Sequence, residues 1–400
     1  MHAGHRLHSM DNLRALAMLA GVAFHAALAY SPLARPFFPT ADRAGSALVD
    51  VFAWFLHLFR MPLFFVVAGY FTALQVKRHG MGGMLRGRVL RVGLPFVLFL
   101  PLVHFALSSS TLHAARTVAH PSPLLQVIRD LLRAGPLPDT PPGTSHLWFL
   151  YYLMLFCVLV WVGRTLGLGP LAARAAALPT MWHLLVLPLL LVPSLASVPA
   201  PHPAPESLLP QFWAFGYFGP FFAVGLLLHG HPGLLDRLRA HVPWLVAGSG
   251  ALYALFLWLL QGQAARAAPG SASWPVALLE ATIGVWMTLA CLSLGRVALE
   301  RANGVLRYLA DASYWTYLVH LPVLFAIQYR LMDLSLHWIL KFAISLVLTV
   351  TSCLIGYHVL VRPTPLGRVL GSRSRGGHAL RHDGGRGREG ERPAESPGMA

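Results

Sequence analysis

Repeated apolar runs of about twenty residues constrain this chain more than any other feature. A run of that length crosses the hydrocarbon core of a bilayer as one helix, which pairs every backbone polar group within the segment. The chain has 400 residues, of which 56% are hydrophobic and only 12% charged, with a mean hydropathy of +0.58. The sequence therefore predicts an all-α fold, a polytopic integral membrane bundle of about ten transmembrane helices. The predicted spans lie near 13–33, 51–75, 89–109, 147–165, 182–199, 212–230, 243–262, 274–295, 312–329 and 336–361.

Basic residues between these runs predict the orientation. The segments on the N-terminal side, with the C-terminal tail included, carry about three times as many Lys and Arg residues as the opposite loops, a bias that marks the cytoplasmic side. Both termini are therefore predicted to be cytoplasmic. The formal charge of +16 does not indicate nucleic-acid binding, because the basic residues flank apolar segments. We predict a transmembrane domain over residues 1–370 and a disordered basic tail over 371–400, which has almost no large apolar groups.

The first apolar run contains Arg14 and His25, eleven positions apart. In a helix this spacing places them within about 20° of each other and roughly 16 Å apart along the axis. Ionisable groups inside a membrane are costly and usually functional. A neutral imidazole can act as a general base, and a cation at the inner boundary suits a phosphate or carboxylate. The alternatives are a histidine that bonds a neighbouring helix and an arginine that only marks topology.

Two further runs carry ionisable groups at a similar predicted depth. Arg60 lies in the second run, with His57 one turn before it on the same face. An unpaired arginine at that depth requires a function or a partner. His320 lies in the ninth run on a stripe of polar side chains, where either catalysis or a helix-to-helix hydrogen bond would explain it.

Basic and aromatic residues near the ends of the runs are candidate binding groups. Arg88 and Arg91 share one face at the start of the third run and could clamp the nucleotide end of coenzyme A. Positive-inside anchoring explains them equally well. At the outer start of the fourth run, His146 and Trp148 could contact a polar substrate, together with His57. The alternative is that His146 and Trp148 only lie at the membrane boundary, where Trp148 would belong to an aromatic belt. No spacing typical of metal ligands is present, so no metal site is predicted.

Five motifs contain most of these residues: Asn12-Leu-Arg14-Ala…Phe24-His25, Phe59-Arg60-Met…Ala68-Gly69-Tyr-Phe, Arg88-Val-Leu-Arg91-Val-Gly-Leu-Pro95, Ser145-His-Leu-Trp-Phe-Leu150 and Tyr317-Leu-Val-His320-Leu-Pro322. With these motifs, in the family order, the chain resembles the family-3 membrane acyltransferases. Ala68 is a departure, because relatives commonly have a serine before the glycine of the second motif.

The resemblance implies a multi-pass protein of the bacterial inner membrane. It also implies a cytosolic acyl-CoA donor, with succinyl-CoA as one candidate, and an acceptor hydroxyl on a periplasmic or cell-surface glycan. It assigns catalysis to His25 with Arg14, and donor contact to the Arg88 and Arg91 pair.

Several mechanistic and functional choices stay open in the sequence. Arg60 or His320 could stabilise negative charge on the carbonyl oxygen. Direct transfer and a relay through an acyl-enzyme are both consistent with the residues, and the oligomeric state is open. The alternative function is a transporter of a small anion or a lipid-linked sugar, since ionisable groups at mid-depth also suit a permeation path.

Overall fold

The computed structural model describes residues 8–136, 143–168, 174, 180–231, 233–264, 273–301 and 303–370. In these ranges the chain forms helices and no strand, which confirms the all-α fold. The predicted tail, 371–400, lies outside the described residues. The helices are α1 (His8–Leu28), α2 (Ala47–Arg88), α3 (Leu94–Thr117), α4 (Pro123–Ala134), α5 (Trp148–Thr165), α6 (Thr180–Leu195), α7 (Phe212–Gly230), α8 (Gly233–Leu238), α9 (Val242–Ala264), α10 (Trp274–Ala298), α11 (Gly304–Leu331), α12 (Trp338–Gly356) and α13 (Pro365–Val369).

Every predicted span falls on one of these helices. In the described part of the chain, six helical stretches are long and apolar enough to cross a membrane. The first of the six contains both α2 and α3. Helices α1, α6 and α11 are not among the six, because α6 is short, and α1 and α11 carry more polar side chains. The number of crossings and the sides of the termini stay predictions. The six stretches are Ala47–Thr117, Ser145–Thr165, Phe212–Gly230, Gly233–Gln261, Trp274–Ala298 and Trp338–Val361.

Helix α1 packs against four others: α2, α10, α11 and α12. Near its start, Asn12 Nδ2 donates to the carbonyl oxygen of Leu299 at 2.8 Å. Near its end, the carbonyl oxygen of Ala26 accepts from Gln328 Nε2 at 3.0 Å. Side-chain hydrogen bonds of this kind stabilise contacts between helices in apolar surroundings, where the hydrophobic effect does not drive helices together. We call the end of the bundle at the start of α1 the inner end, and the opposite end the outer end.

A glycine pair sets the distance between α2 and α7. A Cβ atom on Gly69 would lie 2.1 Å from the carbonyl oxygen of Phe222, and one on Gly225 would lie 2.0 Å from that of Val66. Only glycine fits at both positions, as in helix pairs that pack through small residues. The glycine of the second motif therefore serves helix packing.

The inner end of α2 changes direction at Gly80, where φ is +68° and ψ is −179°. This backbone region is essentially restricted to glycine. The segment after Gly80 continues through a π-helical turn, Val89–Gly93, into α3. The bend brings Arg88 back against the first part of α2, where its Nη2 donates to Thr72 Oγ1 at 2.7 Å.

Buried polar contacts fasten the outer loop between α1 and α2. Lys341 Nζ, on α12, lies 2.7 Å from Asp42 Oδ2, and both side chains are almost fully buried. Thr40 Oγ1 donates to Gln328 Oε1 at 2.7 Å. Removing one partner of a buried ion pair is destabilising. The pair of Asp42 and Lys341 therefore holds the loop against the outer end of α12.

Candidate active site

One cavity of about 1690 Å³ is lined by all nine side chains that the sequence singled out. It reaches Gln75 and Arg91 at the inner end, and Pro39 and Pro201 at the outer end. The helices thus bring the predicted groups together along one elongated space, although their individual roles stay predictions. These nine residues are Arg14, His25, His57, Arg60, Arg88, Arg91, His146, Trp148 and His320.

The imidazoles of His25 and His320 meet in the middle of this cavity, with ring centroids 5.4 Å apart. His320 Nδ1 lies 2.8 Å from the carbonyl oxygen of Tyr317. A carbonyl oxygen only accepts, so Nδ1 carries the hydrogen and Nε2 keeps a lone pair. His25 Nδ1 has no hydrogen-bond partner among the described residues. The pair therefore offers ring nitrogens that can accept a proton inside the cavity.

A third imidazole, His146, lies 5.1 Å from His320 between ring centroids. Its Nε2 donates to the carbonyl oxygen of Leu318 at 3.3 Å, and its own carbonyl oxygen accepts from the Tyr317 hydroxyl at 2.6 Å. The preceding residue, Ser145, has φ of +49°, the only positive φ of a non-glycine residue in the described chain. Such backbone strain concentrates at functional sites. It accompanies the sharp entry into α5 that directs His146 toward the other histidines.

The Arg60 guanidinium contacts α1 at Gly21, one turn before His25, and is nearly buried, with 6% of the residue's surface exposed. Its Nη1 donates to the carbonyl oxygen of Gly21 at 3.3 Å, and its central carbon lies 4.3 Å from the centre of the Phe24 ring. No acidic side chain pairs with it in the described ranges. Contact with an aromatic face offsets part of its desolvation. Because its charge is otherwise unpaired, it can stabilise a negative oxygen in the cavity.

Three guanidinium groups line the inner end of the cavity. Arg14 Nη2 donates to the carbonyl oxygen of Ala310 at 2.9 Å and lies 3.7 Å from Asp11 Oδ1. Arg88 is held by Thr72, and Arg91 is exposed on the π-helical turn. A group of guanidiniums suits multidentate phosphate recognition. This end of the cavity matches the chemistry of a nucleotide head group.

His57 and Trp148 lie toward the outer half. The His57 ring stacks on Phe24 at 5.3 Å between centroids, and its Nε2 lies 2.8 Å from the carbonyl oxygen of His202. Trp148 is only 7% exposed and packs against Phe218, with ring centroids 5.2 Å apart. Neighbouring aromatic rings therefore enclose Trp148, and its place at the membrane boundary stays a prediction.

The sequence analysis missed two polar groups of the outer half, His202 and Glu280. His202 lies on the Pro-rich loop before α7 and lines the cavity, and its Nδ1 is 2.6 Å from Glu280 Oε1. Glu280 is the single acidic or basic side chain in its apolar run, which was the available signal. Glu206, on the same loop, also lines the cavity. Desolvation raises the pKa of its carboxyl, an effect that His104 partly offsets.

The chain is similar to a known protein family and to known relatives. The family model described as an acyltransferase domain matches residues 7–358. Glucans biosynthesis protein C of Salmonella typhi is 27% identical over 339 residues, which cover 80% of this chain and 82% of that protein. The protein of the same name from Salmonella schwarzengrund is 26% identical over the same shares. No solved structure matches the chain significantly.

Proposed function

This chain belongs to the acyltransferase-3 family, and from that premise we propose that it moves an acyl group from cytosolic acyl-CoA to a hydroxyl of a glucan outside the membrane. Acyl transfer itself follows from family membership. The name of its relatives, glucans biosynthesis protein C, suggests a glucan as the acceptor. The donor and its cytosolic side are parts of the proposal.

One observation carries the proposal: a single cavity joins three arginines at the inner end to a cluster of histidines at mid-length. A coenzyme A thioester has a phosphorylated nucleotide head and a long neutral arm that ends at the reacting carbonyl. Arginines favour the phosphates, and the apolar and aromatic walls of the cavity suit the arm. The donor would therefore bind with its head at the inner end and its carbonyl near His25.

The chemistry requires a proton acceptor and a group that stabilises the carbonyl oxygen. In direct transfer, the acceptor hydroxyl oxygen attacks the thioester carbon, the C–S bond breaks, and the hydroxyl proton passes to His25 before reaching the leaving thiolate. In a relay, His25 attacks the thioester carbon first, the C–S bond breaks, and the thiolate leaves as a thiol with the proton of the imidazole. The acceptor hydroxyl then attacks the acylated imidazole, the acyl–nitrogen bond breaks, and the hydroxyl proton returns to the His25 ring. Arg60 stabilises the oxygen's negative charge in either route. With a succinyl group, Arg60 would also offset the free carboxylate.

A substitution of His25 tests the proposal in cells. We expect His25→Gln to reach the membrane in normal amount and to yield no acylated glucan in mass spectra of extracted periplasmic glucans. The matched control is His241→Gln, an exposed histidine that does not line the cavity. Normal acylation by His25→Gln would overturn the proposed role of His25.

A donor assay separates the proposal from the transporter alternative. Purified protein in detergent, without a gradient, should release coenzyme A from succinyl-CoA or acetyl-CoA when a glucan oligosaccharide is present. Release of no coenzyme A from either donor would reject acyl-CoA as the donor. Movement of the donor or a sugar across sealed vesicles without any acyl transfer would instead favour transport.

A further inference from the structure

A buried histidine and glutamate pair lies in the outer half of the cavity, apart from the His25 and His320 pair. Both His202 and Glu280 side chains are about 1% exposed, and Nδ1 and Oε1 are 2.6 Å apart. The backbone N–H of His202 also donates to Glu280 Oε1, at 2.9 Å. One carboxylate oxygen on α10 thus fixes both the backbone and the ring of a loop residue.

This contact fixes which ring nitrogen faces a ligand. A carboxylate only accepts, so His202 Nδ1 carries a hydrogen in both charge states of the pair. The other nitrogen, Nε2, has no hydrogen-bond partner among the described residues, although His202 lines the cavity. A second unpartnered nitrogen, His57 Nδ1, is buried nearby, with the two rings 4.5 Å apart between centroids.

The hydrogen bonds that His202 Nε2 and His57 Nδ1 can make limit the kind of ligand that fits. His57 Nε2 donates to the His202 carbonyl, so Nδ1 of neutral His57 is an acceptor. His202 Nε2 accepts when the ring is neutral and donates when it is charged. A hydroxyl both donates and accepts, so it pairs with either state. Vicinal hydroxyls of a sugar are the class of ligand that would satisfy two neighbouring nitrogens of this kind.

We propose that His202 and His57 form the subsite that binds the hydroxyls of the acceptor sugar, with Glu280 as the positioning residue that orients His202. This inference rests on the proposed function, because it names the acceptor end of the same cavity. The subsite lies on the outer side of Phe24, whose ring contacts both His25 and His57, at 5.3 Å in each case. An acceptor bound there would enter from the end opposite to the arginines.

The test compares acceptor and donor kinetics in the purified full-length protein in nanodiscs. The probes are a glucose oligosaccharide and succinyl-CoA or acetyl-CoA. Glu280→Leu removes the acceptor of the His202 bonds, and we expect the KM for the oligosaccharide to rise at least tenfold with an unchanged KM for the donor. Glu280→Gln retains an oxygen at Oε1, so it should rescue most of this loss. His202→Phe should raise the oligosaccharide KM as much as Glu280→Leu.

A control separates sugar binding from general damage. Asp42→Asn perturbs another buried pair, with Lys341, that does not line the cavity. It should lower the yield of folded protein and leave both KM values unchanged. Equal changes of donor and acceptor KM in Glu280→Leu and His202→Phe, or no change in either, would overturn the subsite. Failure of the wild type to use either donor would instead count against the proposed function.

Discussion

The His25 imidazole on α1 and the His320 imidazole on α11 lie 5.4 Å apart, although they come from opposite ends of the chain. His320 is oriented by its own helix, because Nδ1 donates to the carbonyl of Tyr317. His25 has no such restraint in the described part of the chain. An oriented imidazole beside a free one suggests that the two share a proton during transfer, with His320 as the fixed partner.

The first prediction concerns His320→Phe. The substitution keeps a flat aromatic ring, slightly larger than imidazole, and removes both nitrogens, so packing should persist while proton transfer fails. We expect kcat to fall by about 10²–10⁴-fold, the range that general acid–base groups contribute. Release of coenzyme A from the donor measures it, with His241→Phe as the control. A kcat within a few-fold of wild type would mean that His320 serves helix packing only.

The second prediction concerns Arg60, whose buried charge has no acidic partner in the described ranges. Burying an unpaired charge is costly, so Arg60→Met should raise the midpoint of thermal unfolding. If the guanidinium stabilises the carbonyl oxygen, the same variant should lose about 10²-fold or more in kcat, as when an oxyanion donor is removed. Scanning fluorimetry and the transfer assay measure the two effects. A less stable but active variant would contradict both expectations.

The lengths of the apolar runs predicted the helices, and ionisable residues within those runs predicted the groups at the middle of the cavity. That signal found Arg60 and His320 because burying such groups without a function is costly. It gave no information on which groups meet, so the contact of His202 with Glu280 was missed. His202 lies in a Pro-rich stretch between two apolar runs, where that signal does not apply, so its buried side chain was missed. The bend at Gly80 was missed because several neighbouring glycines hide the one with an unusual φ.

The third prediction concerns the Thr72 hydroxyl, which accepts a hydrogen bond from Arg88 at 2.7 Å. A hydrogen bond to a charged group contributes about 1.5–3 kcal/mol, so Thr72→Val should raise the KM for acyl-CoA about tenfold or more. The KM for the glucan should stay constant. Thr288→Val is the matched control, because this buried hydroxyl donates to the carbonyl of Phe59 and has no other hydrogen bond among the described residues. An unchanged KM for acyl-CoA in Thr72→Val would show either that Arg88 does not bind the donor or that Thr72 does not position Arg88.

Thr72 also bears on the serine that relatives commonly have at position 68. The Ala68 carbonyl oxygen lies 3.4 Å from Arg88 Nη2, so this backbone already contacts the guanidinium. Thr72, one turn later, supplies a hydroxyl to the same group. We therefore expect Ala68→Ser to change the donor KM less than Thr72→Val does.

The fourth prediction uses two neighbouring glycines in the inner segment of α2. Gly80 has φ of +68° with ψ of −179°, whereas Gly82 has no positive φ and open space around its Cα. Alanine at position 80 would occupy a backbone region that costs about 1–3 kcal/mol for residues other than glycine. Alanine at position 82 should be neutral or stabilise the helix by about 0.5–1 kcal/mol.

The bend at Gly80 also affects donor binding, because it places Arg88 against Thr72. If α2 straightens to relieve the strain in Gly80→Ala, Arg88 moves away from Thr72 and the inner end loses one of its three guanidiniums. We therefore expect Gly80→Ala to lower the unfolding midpoint and raise the KM for acyl-CoA, while the glucan KM stays at the wild-type value. Gly82→Ala should change neither KM. Identical behaviour of the two variants would show that the bend at Gly80 does not position Arg88 for donor binding.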